Sequence, residues 1–366
     1  MNFLAKIFGK TEKTRSALGV DIGSSSLKVV QLRRKNGAIV LETYGELSLG
    51  PYGKVEIGQA TNLPADTIAT TLVDLLHEAN VTTSDCGVSI PASRSLLTFA
   101  ELPRRDNPEE QKTVIELEAR KYIPVPISEV HLDWFVLPDT TSSSESETKT
   151  PLKNINVLLV AVHNDEIQLL DTVVKKAKLA ATFFEIEIFS TIRSVVDETV
   201  KPIMIIDIGS ASTKVYIVER GVVATSHAIP HGGQDVTRAI SASSGIDIAH
   251  AEQSKKDEGI TGAEQGEHRI ATETTFSNIF AEAKRVMLQF EHEKKRSVTA
   301  IILTGGGGVT KGLGEYAQNF FAVETRVADP FAKTQAPEFI RPVLKEIGPE
   351  FSVAVGIALR KLEEFN

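Results

Sequence analysis

The amino-acid sequence predicts an α/β chain made of two related halves, and three observations carry that prediction. The first is an internal repeat: Asp21-Ile-Gly-Ser-Ser-Ser-Leu-Lys-Val29 and Asp207-Ile-Gly-Ser-Ala-Ser-Thr-Lys-Val215 agree at seven of nine positions, and self-similarity has to be read before shorter motifs. The second is context. Each copy follows a β-branched run (Leu18-Gly-Val20; Ile203–Ile206) and leads into another (Val29, Val30, Leu32; Val215, Ile217, Val218), so each reads as strand, tight polar turn, strand. The third is the alternation of strand-like and helix-like periods through each half, which argues for α/β or α+β layers and against an all-α or all-β chain. A length of 366 residues fits two or three domains at roughly 100–200 residues each.

Between the two copies, Leu63-Pro-Ala-Asp-Thr-Ile reads as a capped helix start running to about Asn80, with Ile68, Leu72, Leu75, Leu76 and Ala79 on one stripe. Gly87–Pro91 is a short strand. A different unit begins at Ser95: a strand over Leu96–Leu102, then Asp106-Asn107-Pro108-Glu109-Glu110, where Pro at the first turn and acids near the positive helix end start a helix. That helix is expected to bury Val114, Ile115, Leu117, Ala119 and Tyr122 before Pro124 and Pro126 stop it. Strands at Val130–Leu137 and Ile155–Val162 flank Thr140–Thr150, a Ser/Thr/Glu-rich segment too poor in apolar residues to fold and therefore expected to be a mobile hairpin loop. A helix over Glu166–Leu179 closes the unit near Ala180. After the second copy, His231-Gly-Gly-Gln-Asp-Val-Thr opens a helical stretch. Phe276, Ile279, Phe280, Ala283, Met287 and Phe290 then recur with helical spacing on one face of a long helix. A strand (Thr299–Leu303), the run Gly305–Gly308, a helix, a strand near Thr325–Val327 and a helix from about Phe351 to Leu362 complete the chain.

Composition narrows the function classes. With 42% hydrophobic and 24% charged residues the chain is neither disordered, collagenous nor a coiled coil. A net charge of −8 repels phosphate backbones, and no basic stripe offsets it, so nucleic acid is not the expected partner. The single Cys86 forbids an intramolecular disulfide and fits a reducing compartment, with the thiol read as a small buried hydrophobe. The longest strongly apolar run, Val157–Val162, is far short of the ~20 residues that span a bilayer, and no signal-peptide pattern opens the chain; a cytosolic protein is expected. Residues 1–16 carry Lys6, Lys10, Lys13 and Arg15 with Phe3, Leu4, Ile7 and Phe8, which reads either as a frayed terminus or as a weak amphipathic membrane-surface element.

The repeated turn suits an anion. Gly23 and Gly209 allow close backbone approach, and the N–H groups and Ser hydroxyls around them point into one concavity. Lys28 and Lys214 each lie seven residues after their Asp, on the second strand, within reach of the same anion. Asp21 and Asp207, at strand ends, offer acceptors to a hydrated divalent cation, since Mg²⁺ keeps several waters and takes one or two carboxylates plus phosphate oxygens. Two such hairpins facing each other make a clamp on a metal-bound polyphosphate. Other nucleotide signatures fail: no Gly-x-x-x-x-Gly-Lys-[Ser/Thr] occurs, and Val309 and Thr310 stand where Gly-x-Gly-x-x-Gly needs glycine. The Gly305–Gly308 run after its strand offers instead a side-chain-free surface for a base or ribose.

The order of these motifs resembles the actin/Hsp70/sugar-kinase ATPase superfamily: phosphate 1 (Asp21–Lys28), phosphate 2 (Asp207–Lys214), an adenosine motif (Thr304–Gly308) and a final helix with small residues (Ala354-Val-Gly356). Within it, Glu118-Ala-Arg-Lys-Tyr-Ile-Pro-Val-Pro126, Ile229-Pro-His-Gly-Gly-Gln-Asp-Val-Thr237, Ala251-Glu-Gln-Ser-Lys255 and Asp329-Pro-Phe331 resemble the type IV pilus assembly (PilM) family of the FtsA-like branch, over nearly the whole chain. The resemblance implies an actin-like ATPase fold: two RNase H-like subdomains, an FtsA-like 1C (SHS2) insertion and a 2B subdomain. It divides the chain into a flexible terminus 1–16, subdomain 1A (17–94 and 346–366), 1C (95–180, with its disordered loop 140–150), 2A (181–236 and 298–345) and 2B (237–297). It implies that Ser24, Ser25, Ser26 and Lys28 hold the terminal phosphates of ATP from one side and Gly209, Ser210 and Ser212 from the other, with Lys214 matching Lys28 through the repeat. Asp21 and Asp207 would hold Mg through water, Glu252 and Lys255 would contact adenosine, and the Gly305, Gly306 and Gly307 backbone would support adenine and ribose. Glu185 and Ile188 depart from the Asp and Pro usual in relatives.

As a water-orienting group the sequence offers only Glu185 and Glu187, neither in a clear motif, so at most slow ATPase activity is expected. His227 and His231 lack a third ligand, and Pro230 denies them a helix. The implied function is a cytoplasmic pilus-assembly protein, attached to the membrane only through partners, that docks the N-terminal cytosolic peptide of PilN in a groove between 1A and 1C, alongside other inner-membrane components and with homo-oligomers open. The alternatives are a small-molecule kinase, for which no acceptor-site Asp motif is found, an FtsA-like cell-division filament protein, and a chaperone ATPase, which would need a substrate domain beyond Asn366.

Overall fold

The computed structural model describes residues 15–137, 154–197, 200–261 and 266–365. The segment 140–150 and the basic N-terminal residues 1–14 lie outside them. The chain opens with a meander of β1 (Ser16–Ile22), β2 (Ser26–Lys35) and β3 (Ala38–Ser48), followed by α1 (Ala65–Glu78) and β4 (Asp85–Ile90). β2 turns into β3 through Asn36 and Gly37, both at positive φ (52° and 78°), the two-residue turn that matches the twist of antiparallel strands. α1 starts behind Pro64 with no side-chain cap, so the expected cap is absent, and it ends two residues before Asn80.

Pro91–Asp171 forms a compact unit by itself. It contains β5 (Ser95–Pro103), α2 (Pro108–Ala119), β6 (Val130–Val136), β7 (Asn154–His163) and most of α3 (Asn164–Lys176). Its sheet has the order β5-β7-β6, and Leu102, Ile115, Ala119, Ile123, Val157 and Leu159 form its core. Asn107 caps α2 by accepting from Glu109 N at 2.9 Å. The expected apolar face of α2 is corrected here. Leu117 and Tyr122 are exposed (54% and 38%): Leu117 lies two residues from both Ile115 and Ala119, on the opposite face of the helix, and past Ala119 the turn presents Ile123 to the core in place of Tyr122.

The other unit comprises residues 1–90 and 172–366. β8 (Ala180–Ile186) and α4 (Glu187–Val195) precede a second meander of β9 (Ile203–Ile208), β10 (Thr213–Glu219) and β11 (Val222–Ile229), and Arg220-Gly221 repeats the positive-φ turn (52° and 76°). Then come α5 (Gly233–Ser244), α6 (Ile248–Glu258), α7 (Glu267–Lys294), β12 (Ala300–Thr304), α8 (Leu313–Phe321), β13 (Thr325–Val327), α9 (Arg341–Ile347) and α10 (Ser352–Glu363). The two five-stranded sheets have the same order, β3-β2-β1-β4-β8 and β11-β10-β9-β12-β13, so the nine-residue repeat is the visible part of a repeated sheet. The predicted stripe of α7 is buried throughout, from Phe276 to Phe290, against Ile206, Ile217, Leu303 and Phe321.

Two helices join the halves with almost no space between backbones. α10 lies on β1 so closely that a Cβ at Gly19 would stand 2.0 Å from Ala354 O, and it crosses α4 so closely that a Cβ at Gly356 would stand 1.9 Å from Ser190 O. Gly356→Ala should therefore force the helices apart and cost about 3 kcal/mol or more, at the upper end of overpacking effects, read as a drop in urea midpoint at unchanged m-value. A change below ~0.5 kcal/mol would contradict this packing.

Candidate functional site

The repeat places two sets of groups in one environment. In the first turn Gly23 N donates to Ser26 O at 3.1 Å, and in the second Gly209 N donates to Ser212 O at 3.0 Å. Antiparallel register sets Lys28 directly across from Asp21 and Lys214 directly across from Asp207. Seven-residue spacing is thus the arithmetic of a tight hairpin that leaves each acid beside its lysine. Lys214 Nζ lies 3.2 Å from Glu187 Oε2 and 3.7 Å from Asp207 Oδ2. Lys28 Nζ donates to Ser26 Oγ at 2.6 Å and pairs with Glu46 Oε1 at 3.0 Å. Ser89 Oγ, at the end of β4, donates to Asp21 Oδ1 at 2.7 Å and accepts from Ile22 N at 3.1 Å.

The acids of both halves act on one another. Burial pushes Asp21 up to about 6, with Lys28 opposing and Glu187 adding to the rise. Burial also raises Asp207 against the pull of Lys214, and Glu187 adds to it. Lys214 is raised despite its burial, because Asp207 and Glu187 surround it. Asp21, Asp207 and Glu187 set three carboxylates against the two ammoniums of Lys28 and Lys214, leaving excess negative charge in a desolvated place. A hydrated divalent cation compensates such a charge, and phosphate oxygens complete its shell. Among the described residues no group of three or more His, Cys, Asp or Glu is arranged to hold a metal directly.

A segment between β3 and α1 spans both turns. Leu49 N donates to Ser25 O and Thr61 N to Ser24 O, each at 2.8 Å. From the other half, Ser210 Oγ donates to Gly58 O at 2.6 Å and Gln234 Oε1 accepts from Ala60 N at 3.2 Å. The N-terminus of α5 closes over the second turn, Gly233 N donating to Gly209 O at 2.8 Å and Gln234 N to Ser210 O at 3.0 Å. The two turns, with Ser24, Ser25, Ser26, Gly209, Ser210 and Ser212, are therefore tied together beside both lysines and both aspartates.

Glu252 and Lys255 lie one helical turn apart on α6. Lys255 Nζ donates to Glu252 Oε2 (2.6 Å), Thr237 Oγ1 (2.9 Å) and Gly233 O (3.2 Å), and burial lowers its pKa against the pull of Glu252. Gly58 packs against the same carboxylate, where a Cβ would meet Glu252 Cδ at 2.6 Å. Three of the four glycines after β12 divide their work. Gly305, at φ 78°, and Gly307 are squeezed against the end of β9, where side chains would strike Asp207 Oδ1 (2.4 Å) and Ile208 Cγ2 (2.2 Å), whereas Gly306 faces open space.

The two candidate water-orienting acids part company. Glu185 is held by Arg193 at 2.7 and 2.9 Å, Arg360 at 2.6 Å and Ser190 at 2.6 Å; although burial works the other way, these donors keep its carboxyl below the ordinary range. It is a bracing group between α4 and α10. Only Glu187 joins the cluster of Asp21 and Asp207. Sequence reasoning passed over Ser89 and Glu46. Glu46 was within reach, since Asn36-Gly37 sets a hairpin whose register puts it opposite Lys28.

Two outcomes follow. With Asp21 raised, charging it in the fold costs stability as pH rises from about 4 to 6. Asp21→Asn should therefore raise the stability of the ligand-free protein at pH 7.5 by on the order of 1–3 kcal/mol and leave it unchanged at pH 4, read by urea denaturation. Destabilisation at pH 7.5 would contradict a costly buried charge. Glu185→Gln leaves two guanidiniums short of a carboxylate and should cost about 3–5 kcal/mol at pH 7.

Residues 19–362 match the family model described as type IV pilus assembly protein PilM. A solved PilM–PilN type IV pilus biogenesis complex superposes with TM-score 0.78 at 25% identity, covering 94% of this chain and 98% of that one. MreB5 of Spiroplasma citri bound to AMPPNP superposes at 0.54 and 13% identity, covering 96% and 98%, which shows the shared actin-like fold alone. The cell division protein FtsA of Bacillus subtilis (strain 168) is 25% identical over 168 residues, 40% of this chain and 38% of its own length, so the match spans well under half of that relative. With a family model matched across nearly all of its length and the twin hairpins of an actin-like cleft in place, the chain belongs to the PilM family of type IV pilus assembly proteins.

Proposed function

We propose that the chain binds Mg-ATP between its two sheets and, in that state, docks the N-terminal cytosolic segment of a PilN-type inner-membrane protein, linking it to the pilus-assembly machinery. The observation that carries the reading is the convergence of the two repeated hairpins: Asp21, Lys28, Asp207 and Lys214 share one desolvated site in which Glu187 leaves negative charge for a cation to balance. Ser24, Ser25, Ser26 and Lys28 would hold the phosphates from one side and Gly209, Ser210, Ser212 and Lys214 from the other. Asp21 and Asp207 would hold Mg²⁺ through water. Glu252 and Lys255 would meet adenosine, and the open face of Gly306, framed by Gly305 and Gly307, would take the base or ribose. The bound metal would supply charge neutralisation at the phosphates; the protein holds the nucleotide and excludes water.

The acid inventory supports a ligand role for ATP with at most slow turnover. Glu185 is saturated by two arginines and a serine, and Glu187 is paired with Lys214, so neither is poised to orient a water. Subdomains 1A (17–94 and 346–366), 1C (95–180), 2A (181–236 and 298–345) and 2B (237–297) are proposed on the same reading, with the start of 2A moved past Ile186, since β8 pairs with β4 in the first sheet. Among the described residues no helix is long and apolar enough to cross a membrane; attachment to the inner face of the cytoplasmic membrane would come through the PilN-type partner. The family match and the solved PilM–PilN complex support the partner.

Mg-ATP at about 100 times its dissociation constant should stabilise the wild type by roughly 2.7 kcal/mol, seen as a rise in melting temperature that Asp207→Ala abolishes. A synthetic PilN N-terminal peptide should bind by calorimetry, more tightly with Mg-ATP than without. No shift with Mg-ATP would overturn the nucleotide reading, and no heat with the peptide would overturn the partner.

A further inference from the structure

The segment 49–61, between β3 and α1, touches both repeated turns and has no role in the reading above. Its two sides are held by different means. On the first half the hold comes from carbonyls of the turn itself: Leu49 N donates to Ser25 O and Thr61 N to Ser24 O, each at 2.8 Å, and Thr61 Oγ1 adds a bond to Ser24 O at 3.0 Å. On the second half it depends on two side chains. Ser210 Oγ donates to Gly58 O at 2.6 Å, and Gln234 Oε1 accepts from Ala60 N at 3.2 Å. The segment is thus a strap that belongs to the first half and can leave the second without breaking its own anchors.

The Ser210 bond bears directly on phosphate. A hydroxyl has one proton to donate, and an anionic phosphate oxygen only accepts. Here that proton is committed to Gly58 O, so Ser210 cannot donate to phosphate and hold the strap at once. The same glycine packs against the Glu252 carboxylate, which puts the strap in contact with groups assigned to phosphate and to adenosine. A second observation shows that the closed strap is held against a cost. Gln59, only 8% exposed, buries its Nε2 with no hydrogen-bond partner, and a buried donor left unpaired is unfavourable. Opening returns that amide to water.

We propose that residues 49–61 are a phosphate-released strap, closed in the ligand-free protein by Ser210 on Gly58 and freed from the second half when a phosphate of the bound nucleotide takes the Ser210 hydroxyl. The inference rests on the nucleotide reading above. Nucleotide then selects the open strap, so a change that weakens the closed form tightens binding, and one that relieves the closed form weakens it. Gln234 and Gln59 are positioning residues on this account, each acting on the nucleotide through the strap. Tyr52, Val55 and Ile57 are exposed on the strap, and its release moves them together.

Amide exchange and calorimetry on the full-length protein test this. With saturating Mg-ATP the Ala60 amide, read by NMR, should exchange about fivefold faster, the factor that a hydrogen bond of typical net strength supplies, while Leu49 and Thr61 keep their protection. Adenosine, which lacks phosphate, should leave the Ala60 amide unchanged. Gln234→Ala removes the other tie and should tighten Mg-ATP binding about fivefold; Gln59→Met removes the unpaired donor at similar volume and should weaken binding by about the same factor. A strap with a merely structural role would move neither affinity in these directions. Three results overturn the inference and leave the nucleotide reading standing: an Ala60 amide that Mg-ATP protects or leaves unchanged, an equal response to adenosine, and variants that bind Mg-ATP as the wild type does or shift the opposite way. Absence of Mg-ATP binding to the wild type overturns both.

Discussion

The structure depends on a cost that two strands impose on it. β1 and β9 each end by carrying an aspartate into a desolvated place, and the two acids lie close enough that the same lysines and the same Glu187 act on both. A buried carboxylate without compensation is expensive, and here two lysines and a serine offset it only in part, since both acids stay raised. Everything near the cleft arranges that imbalance: the register that sets a lysine beside each aspartate, the Ser89 hydroxyl beneath Asp21, and the Pro349 carbonyl that holds the glycine turn beneath Asp207. Such residual strain in electrostatics marks functional sites more often than structural ones.

The halves can present matching acids because their joints are rigid. Gly19 and Gly356 let α10 approach β1 and α4 at backbone distance, and Glu185, clamped by Arg193 and Arg360, locks α4 to α10 on one side of that crossing. On the other side, Thr304, Ser352 and Pro349 tie the end of β12 to the start of α10. The segment from Leu49 to Thr61 adds a third link, through backbone groups of the first turn and the Ser210 hydroxyl of the second. Only this third link runs through groups proposed to hold phosphate, Ser24, Ser25 and Ser210.

Much of this was legible in the sequence, and the limits are physical. The repeat predicted two matching hairpins, and the identical sheet orders extend it from nine residues to five strands. The long α7 stripe was readable because six large residues recur on one face. Leu117 was misread because it stands on the helix face opposite Ile115 and Ala119, and Tyr122 because helical spacing continues past Ala119 while the backbone does not. β3 and β11 escaped notice because their alternation is weak, although Asn36-Gly37 and Arg220-Gly221 mark the turns before them. Ser89 had no local signal. It reaches Asp21 through a parallel pairing of β4 with β1, which one sequence does not reveal; the same holds for the arginines that disqualify Glu185.

The central claim is that both repeated turns close on one ligand. Hydrogen–deuterium exchange of the amides at 22–26 and 209–212, with and without Mg-ATP, tests it most directly. The account predicts that both segments gain protection together and at the same nucleotide concentration. Protection of one turn alone, or of neither while nucleotide is bound, would contradict it.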